Sequence, residues 1–467
     1  MITADKKFLA EIDAKAEALK DKIMNSEDTI PHTGTVYYFS NRGCDSNDGL
    51  SPETAVQSLE RFYSLPLKEG DTVLFERGGL WRGELYVNVK NITIAAYGKG
   101  EKPRFYGSLK NYAVPHEWVK TDRPNIWRYV KPFDIDIGHI ICDGGKVHCI
   151  KKCLGHHGFG GTLDEVKNDL EFWCDRDDRN TLYFCSEKNP GERFFEMELH
   201  RRISFFILKS GQGARLDNLC IKYVGVHGIS CGTFNDLHVT NCEIGYIGGG
   251  IQFTRDERDT RLGNGVEIYG ACKDYSVENC YIHDCYDAGV THQRKGEAPY
   301  PIVMENVTYS ENLFERCIYS IEYFCDQSNS DEDIMRHIRM TGNICRYAGG
   351  FGWQRPNRVA RHIQGGWLHN KRKYPAEDYI IEGNIFDRSI DTLLSISSVK
   401  EEHLPEMRGN TYIQYAGKNY GANFVPYDRY LPFDEETERF IKETKGETDA
   451  VVAIVPEYDG MCDWRQE

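Results

Sequence analysis

The sequence predicts an all-β fold, a parallel β-helix solenoid with a small inserted β domain and an N-terminal helix. Three observations predict it. First, short runs with apolar residues two apart recur along the chain, as in Val266-Glu267-Ile268, Val277 to Ile282 and Asp287 to His292. Two is the period of a strand with one buried face. Second, the runs are separated by turns of only a few Gly, Asn and Asp residues. Third, the phrase repeats around Asn241, Asn279, Asn312, Asn343, Asn384 and Asn410, spaced 38, 33, 31, 41 and 26 residues apart. Such a period signals a solenoid or a propeller, and the lack of a Trp-Asp signature and of helices between the runs favours the β-helix. An asparagine at a fixed turn accepts a left-handed backbone and bonds the coil above through its amide.

Residues 1–33 read as a charged helix with apolar Phe8, Leu9, Ile12, Ala16, Leu19 and Ile23, packing on the end of the solenoid. Residues 34–108 supply the first coils: Tyr37 to Ser40, a polar turn through Asn41 to Ala55, then Gly70 to Phe75, Trp81 to Leu85 and Ile92 to Gly98. The repeat then stops. Residues 109–200 read as an inserted set of antiparallel hairpins, with Asn125 to Tyr129, Glu171 to Asp175 and Thr181 to Cys185 as strands. Residues 201–417 are the main coils. Polar stretches at 254–263, 293–301, 326–333 and 364–375 interrupt them, and long loops leaving one edge of a stack are where a solenoid builds its site. Residues 418–467 are acidic and read as a cap.

A net charge of −15 and a pI near 5.5 argue against nucleic acid or an anionic membrane as partner. The 28 tyrosines suit both sugar stacking and core filling. The first residues are too charged for a secretory signal and no run of about 18 apolar residues occurs, so the reading is cytoplasmic. The 16 cysteines fit a reducing compartment, as stacked buried thiols at Cys220, Cys242, Cys280, Cys285, Cys317 and Cys345. No cofactor is expected. Asp45, Asn47 and Asp48 are turn formers as well as calcium ligands, and Cys149, Cys153, His156 and His157 match no standard zinc spacing. Nothing in the sequence specifies an oligomeric state.

Inward Val266, Val290 and Ile321 place Glu267, Thr291 and Glu322 outward, with Gly352 next, as one column down successive coils. Coils lie about 4.8 Å apart, so Glu267 and Glu322 stand roughly 10 Å from each other with Asp287 to one side. Glycoside hydrolysis commonly uses two carboxyls, about 5 Å apart for retention and about 6.5–9.5 Å for inversion. Asp287 with Glu322 suits the first and Glu267 with Glu322 the second. These three acids are the catalytic candidates. His292, Gln293, Tyr323, Asp326, Trp353, Arg355, His362 and Trp367, on or after the same strands, are the candidate sugar-binding residues, and no metal ligand is assigned.

The repeated runs resemble the parallel β-helices of the pectate-lyase-like superfamily, over most of residues 34–425. The resemblance implies a right-handed solenoid and a carbohydrate ligand. The runs Asn264 to Glu267, Asp287 to Gln293 and Gly352 to Asn357 are most similar to bacterial β-helix glycoside hydrolases of family 141, which implies an oligosaccharide or polysaccharide substrate. The fold also carries lyases and adhesins, so a polysaccharide lyase or uronate epimerase stands second and a non-catalytic binding solenoid third. Elimination needs a base and a group to neutralise the uronate, and the middle coils offer few outward basic residues besides Arg294 and Lys295.

Overall fold

In the computed structural model the described residues are 1–467 without 29, 296–299, 327–329, 331, 350–358, 367–375, 397–402, 424–429 and 461–467. The chain winds as a parallel β-helix. Each coil contributes one strand to each of three long sheets in a fixed order. One full turn, for example, runs Gln212–Asp217 in sheet B, Cys220–Val224 in sheet A and Ile229–Cys231 in sheet C. Sheets B and C each hold ten strands and sheet A fourteen among the described residues, with successive coils in parallel register. Alternation sends Val239, Val277, Tyr309, Met340 and Ile381 of sheet B into one continuous core with Ile244, Ile282 and Phe314 of sheet A and Val266, Val290 and Ile321 of sheet C.

The turn from sheet B to sheet A is the most regular. One residue there is left-handed in every coil: Asn241 (φ 53°), Asn279 (54°), Glu311 (52°), Gly342 (64°), Gly383 (64°) and Gly409 (57°). The asparagines therefore divide into two kinds. Asn241 and Asn279 take the left-handed position, whereas Asn312, Asn343, Asn384 and Asn410 follow it and point their amides inward. Asn312 Nδ2 donates to Asn343 Oδ1 at 3.0 Å, Asn343 Nδ2 to Asn384 Oδ1 at 2.9 Å, and Asn384 Nδ2 to Asn410 Oδ1 at 3.0 Å. Glu447 closes the ladder, accepting from Asn410 Nδ2 at 2.8 Å and from the Tyr412 hydroxyl at 2.8 Å.

The N-terminal helix, Lys6–Met24, lies along the flank of the solenoid and not on its end as its charge pattern suggested. Ala16, Leu19 and Ile23 pack on Tyr281, Leu313 and Ile344, and Ile12 joins a cluster with Tyr347, Ile413 and Tyr415, all on the outer face of sheet A. Nineteen residues of helix extend about 28 Å, enough to cross the five strands it covers. Before it, Ile2–Thr3 pairs in parallel with Val451–Val455, which itself continues sheet A beyond Thr411–Tyr415. The same outer face carries charges, which are covered and paired: Lys222 with Glu243, Arg316 with Asp284, and Arg346 and Arg388 with Asp387.

Residues 109–200 contribute a five-stranded sheet of their own, with Glu171–Asp175, Thr181–Cys185 and Ile126–Tyr129 antiparallel in sequence. Ile137–Cys142 and Met197–Arg201, however, form an antiparallel pair at the edge of sheet A. Backbone contact at Gly138, where a Cβ would lie 2.4 Å from Gly250 N, seats this segment on the hairpin Gly250–Arg255 and Arg258–Leu262.

Of fifteen described cysteines all but Cys44 are buried. Among the described residues no group of three or more His, Cys, Asp or Glu is arranged to hold a metal, and no helix is long and apolar enough to cross a membrane. Asp45 and Asp48 accept turn hydrogen bonds from Gln57 N, Ser58 N and Leu50 N, and His156 Nε2 lies 2.6 Å from the Asp259 carbonyl.

Candidate active site

Sheet C presents an outward column in unbroken register: Ser230, Glu267, Thr291, Glu322, Gln364 and Ser395. Glu267 and Glu322 share that column with Thr291 between them. The next member is Gln364. The run Gly350 to Trp353, with Gly352 assigned to this column from the alternation, lies outside the described residues, and the strand that follows Glu322 in register is Arg361–Gly365. Three residues toward the sheet A corner runs a second column, His227, Asn264, Ala288, Tyr319 and Arg361, by the same register. Beyond Glu267 and Thr291 a third begins with Tyr269, Gln293 and Phe324.

The column faces away from the core yet is sheltered. Thr291 is 0% exposed, Gln364 4% and Glu322 7%. Thr291 Oγ1 and Gln364 Oε1 have no hydrogen-bond partner among the described residues. Two unsatisfied buried polar atoms on the strands either side of Glu322 are costly in a closed core and expected where a hydroxyl-rich ligand supplies the missing bonds. Glu267 is oriented from the corner: Asn264 Nδ2 donates to Oε2 at 2.5 Å, and His227 Nε2 stands 3.3 Å from Oε1.

Asp287 sits at the corner, its backbone bonded to Gly263 and Tyr319, four residues before Thr291 and off the column. Along an extended strand that is about 13 Å, so Asp287 is not opposite Glu322 as Glu267 is. Gln293 faces outward in the third column, 6% exposed.

His292 and Tyr323 differ from expectation. The alternation that turns Thr291 and Glu322 out turns these two in, and they stack inside the solenoid with centroids 5.6 Å apart. Nδ1 of His292 meets the Tyr309 hydroxyl at 2.9 Å, and the Tyr323 ring fills the space a Cβ at Gly365 would need. Burial drives the His292 pKa down to about 3 and raises that of Tyr323, which fits core groups that stay neutral. His362 is also interior. It bonds Ser320 Oγ at 3.1 Å and lies against Phe386, and burial lowers its pKa to about 4. Asp326 pairs by its backbone with Lys295, and its side chain lies outside the described residues, as do Trp353, Arg355 and Trp367.

His227, Asn264 and Gln364 were not singled out from the sequence. Gln364 had a signal: Ile363-Gln364 repeats the inward-outward step of Ile321-Glu322. His227 and Asn264 had none, because they lie at a corner where the period of two lapses.

No family model matches the chain, and no curated protein matches it. Solved structures do match over most of its length. One is described as a glycoside hydrolase, at 10% identity and a TM-score of 0.46, covering 93% of this chain and 100% of that one. Another is the lacto-N-biosidase of family GH136 from Eubacterium ramulus, at 13% identity and 0.41, covering 96% and 71%. A third is a complex of XylC with xylose, at 12% identity and 0.44, covering 92% and 85%.

Proposed function

We propose that the outer face of sheet C is the active site of a glycoside hydrolase acting on an oligosaccharide or glycan fragment, with Glu267 and Glu322 as its carboxyl pair. The observation that supports this is the alternation along one column of two carboxyl groups with two buried polar atoms, Thr291 Oγ1 and Gln364 Oε1, that have no partner among the described residues. A sugar presents several hydroxyls at a spacing that both kinds of group can take. Two strands separate the acids by about 10 Å at the backbone, which leaves room for a water beneath the scissile bond and suits single displacement with inversion. In that reaction one carboxyl protonates the leaving oxygen while the other removes a proton from the attacking water.

One observation favours elimination on a uronate as the second reading: Arg294 lies over the Tyr269 ring, 5.2 Å from its centroid, at the edge of the same face. A panel of nitrophenyl glycosides, run beside unsaturated-uronate absorbance on acidic polysaccharides, separates the two. Glycoside cleavage abolished in both Glu267→Gln and Glu322→Gln supports the hydrolase, and NMR of the first-formed anomer reads inversion directly. Absorbance growth that survives both substitutions supports the lyase.

A further inference from the structure

We infer that His227 is a positioning residue that presents Glu267 as the general base, which leaves Glu322 as the proton donor; this rests on the hydrolytic reading above. Two backbone N–H groups, which can only donate, fix the groups that face Glu267. Asn264 N donates to His227 Nδ1 at 3.0 Å. A ring nitrogen that accepts carries no proton, so the imidazole holds its hydrogen on Nε2, which faces Glu267 Oε1 at 3.3 Å. The other oxygen is treated in the same way. Ala288 N donates to Asn264 Oδ1 at 2.8 Å, which fixes that amide so that its Nδ2 points at Glu267 Oε2 at 2.5 Å.

Each oxygen of Glu267 thus faces a hydrogen whose orientation is set by a backbone donor one coil away. That cradle suits an acceptor and has no place for a carboxylic O–H. His227 is itself fixed from the preceding coil, its N donating to Ser204 Oγ at 3.3 Å and its carbonyl accepting from Phe205 N at 3.0 Å. It is 6% exposed and reaches the column from beside it, so its action passes through Glu267.

The test uses two amides that split the functions of the ring. His227→Gln places an N–H where Nε2 stood, whereas His227→Asn keeps only an acceptor near Nδ1. On the nitrophenyl glycoside turned over in the panel, His227→Asn is expected to lower kcat about 10- to 100-fold with KM little changed, and His227→Gln to recover most of it. Equal losses in both variants, or none in either, overturn the positioning role while Glu267 and Glu322 keep theirs. The base assignment has its own readout. A dinitrophenyl leaving group needs no acid, so Glu322→Gln should retain turnover on it and Glu267→Gln should not; the reverse pattern overturns the assignment. Activity that persists in both Glu variants sinks the hydrolytic reading itself, a result distinct from either of these.

Discussion

Replacing Asn343 by Ala tests the amide ladder at its centre. Asn343 is wholly buried and takes part in four side-chain bonds: Nδ2 donates to Tyr309 O at 2.8 Å and Asn384 Oδ1 at 2.9 Å, and Oδ1 accepts from Asn312 N at 3.1 Å and Nδ2 at 3.0 Å. Two of the four partners have a second bond to fall back on. Asn312 Nδ2 also donates to Val277 O at 2.8 Å, and Asn384 Oδ1 also accepts from Asn343 N at 2.9 Å. Asn312 N is left without its acceptor, and Tyr309 O loses a donor. A buried donor stranded in this way costs about 1–3 kcal/mol and a lost bond about 1 more, so the expected destabilisation is about 2–4 kcal/mol. Urea unfolding followed by circular dichroism measures it as a lowered midpoint, against the exposed Asn25→Ala as control. The double variant Asn343→Ala, Asn384→Ala should lose less than the sum, because the two share a bond. An unfolding free energy within about 0.5 kcal/mol of wild type, or full additivity, would refute the view that the amides act as one connected chain.

Glu447 offers a pH test. Burial raises its carboxyl pKa against the pull of the Asn410 and Tyr412 donors, so the folded protein holds this proton more tightly than the unfolded chain. Its contribution to stability is full below the unfolded carboxyl range and is lost as pH rises through the raised value. Glu447→Gln should flatten that decline in urea midpoints measured between about pH 4 and 8. Lys222→Met, by contrast, strands the buried Glu243, which Lys222 at 2.7 Å and His283 hold below the usual carboxylate range despite its burial. The expected loss in thermal unfolding is about 3–5 kcal/mol, much of it recovered by adding Glu243→Leu. Ala16→Glu forces a carboxylate between the helix and Tyr281 and Leu313, and limited proteolysis should then cut within residues 6–24 while the solenoid stays intact.

The solenoid was legible because its physics is local and repeats. Apolar residues two apart and a turn residue once per coil carry the register, and with it the alignment of Glu267, Thr291 and Glu322. The same rule sends His292 and Tyr323 inward, where parity and not polar chemistry decides their place. Where the alternation stops, so does the reading. The contacts of His227 with Asn264 and Glu267 join residues 37 and 40 apart across a corner, and no one-dimensional period encodes them. The helix was visible in its spacing of Ile12, Ala16, Leu19 and Ile23, but an apolar stripe does not say which surface it covers. Sheet A could be recognised as that surface only with the coils assembled, when Tyr281, Leu313 and Ile344 come to lie side by side.

The parallel pairing of Ile2–Thr3 with Val451–Val455 sets a timetable for synthesis. About 450 residues separate the partners, so a ribosome adding roughly 5–20 residues per second delivers the second strand some 20–90 s after the first. Coils can stack as they emerge, each on the one before. The amphipathic segment Lys6–Met24 has no such option, since the outer face it covers belongs to coils translated much later. It waits with its apolar stripe uncovered until those coils are made. Its docking proceeds from the Ile23 end, where Tyr281, Leu313 and Ile344 come first, to the Ile12 end, which needs Ile413, Tyr415 and Ala453.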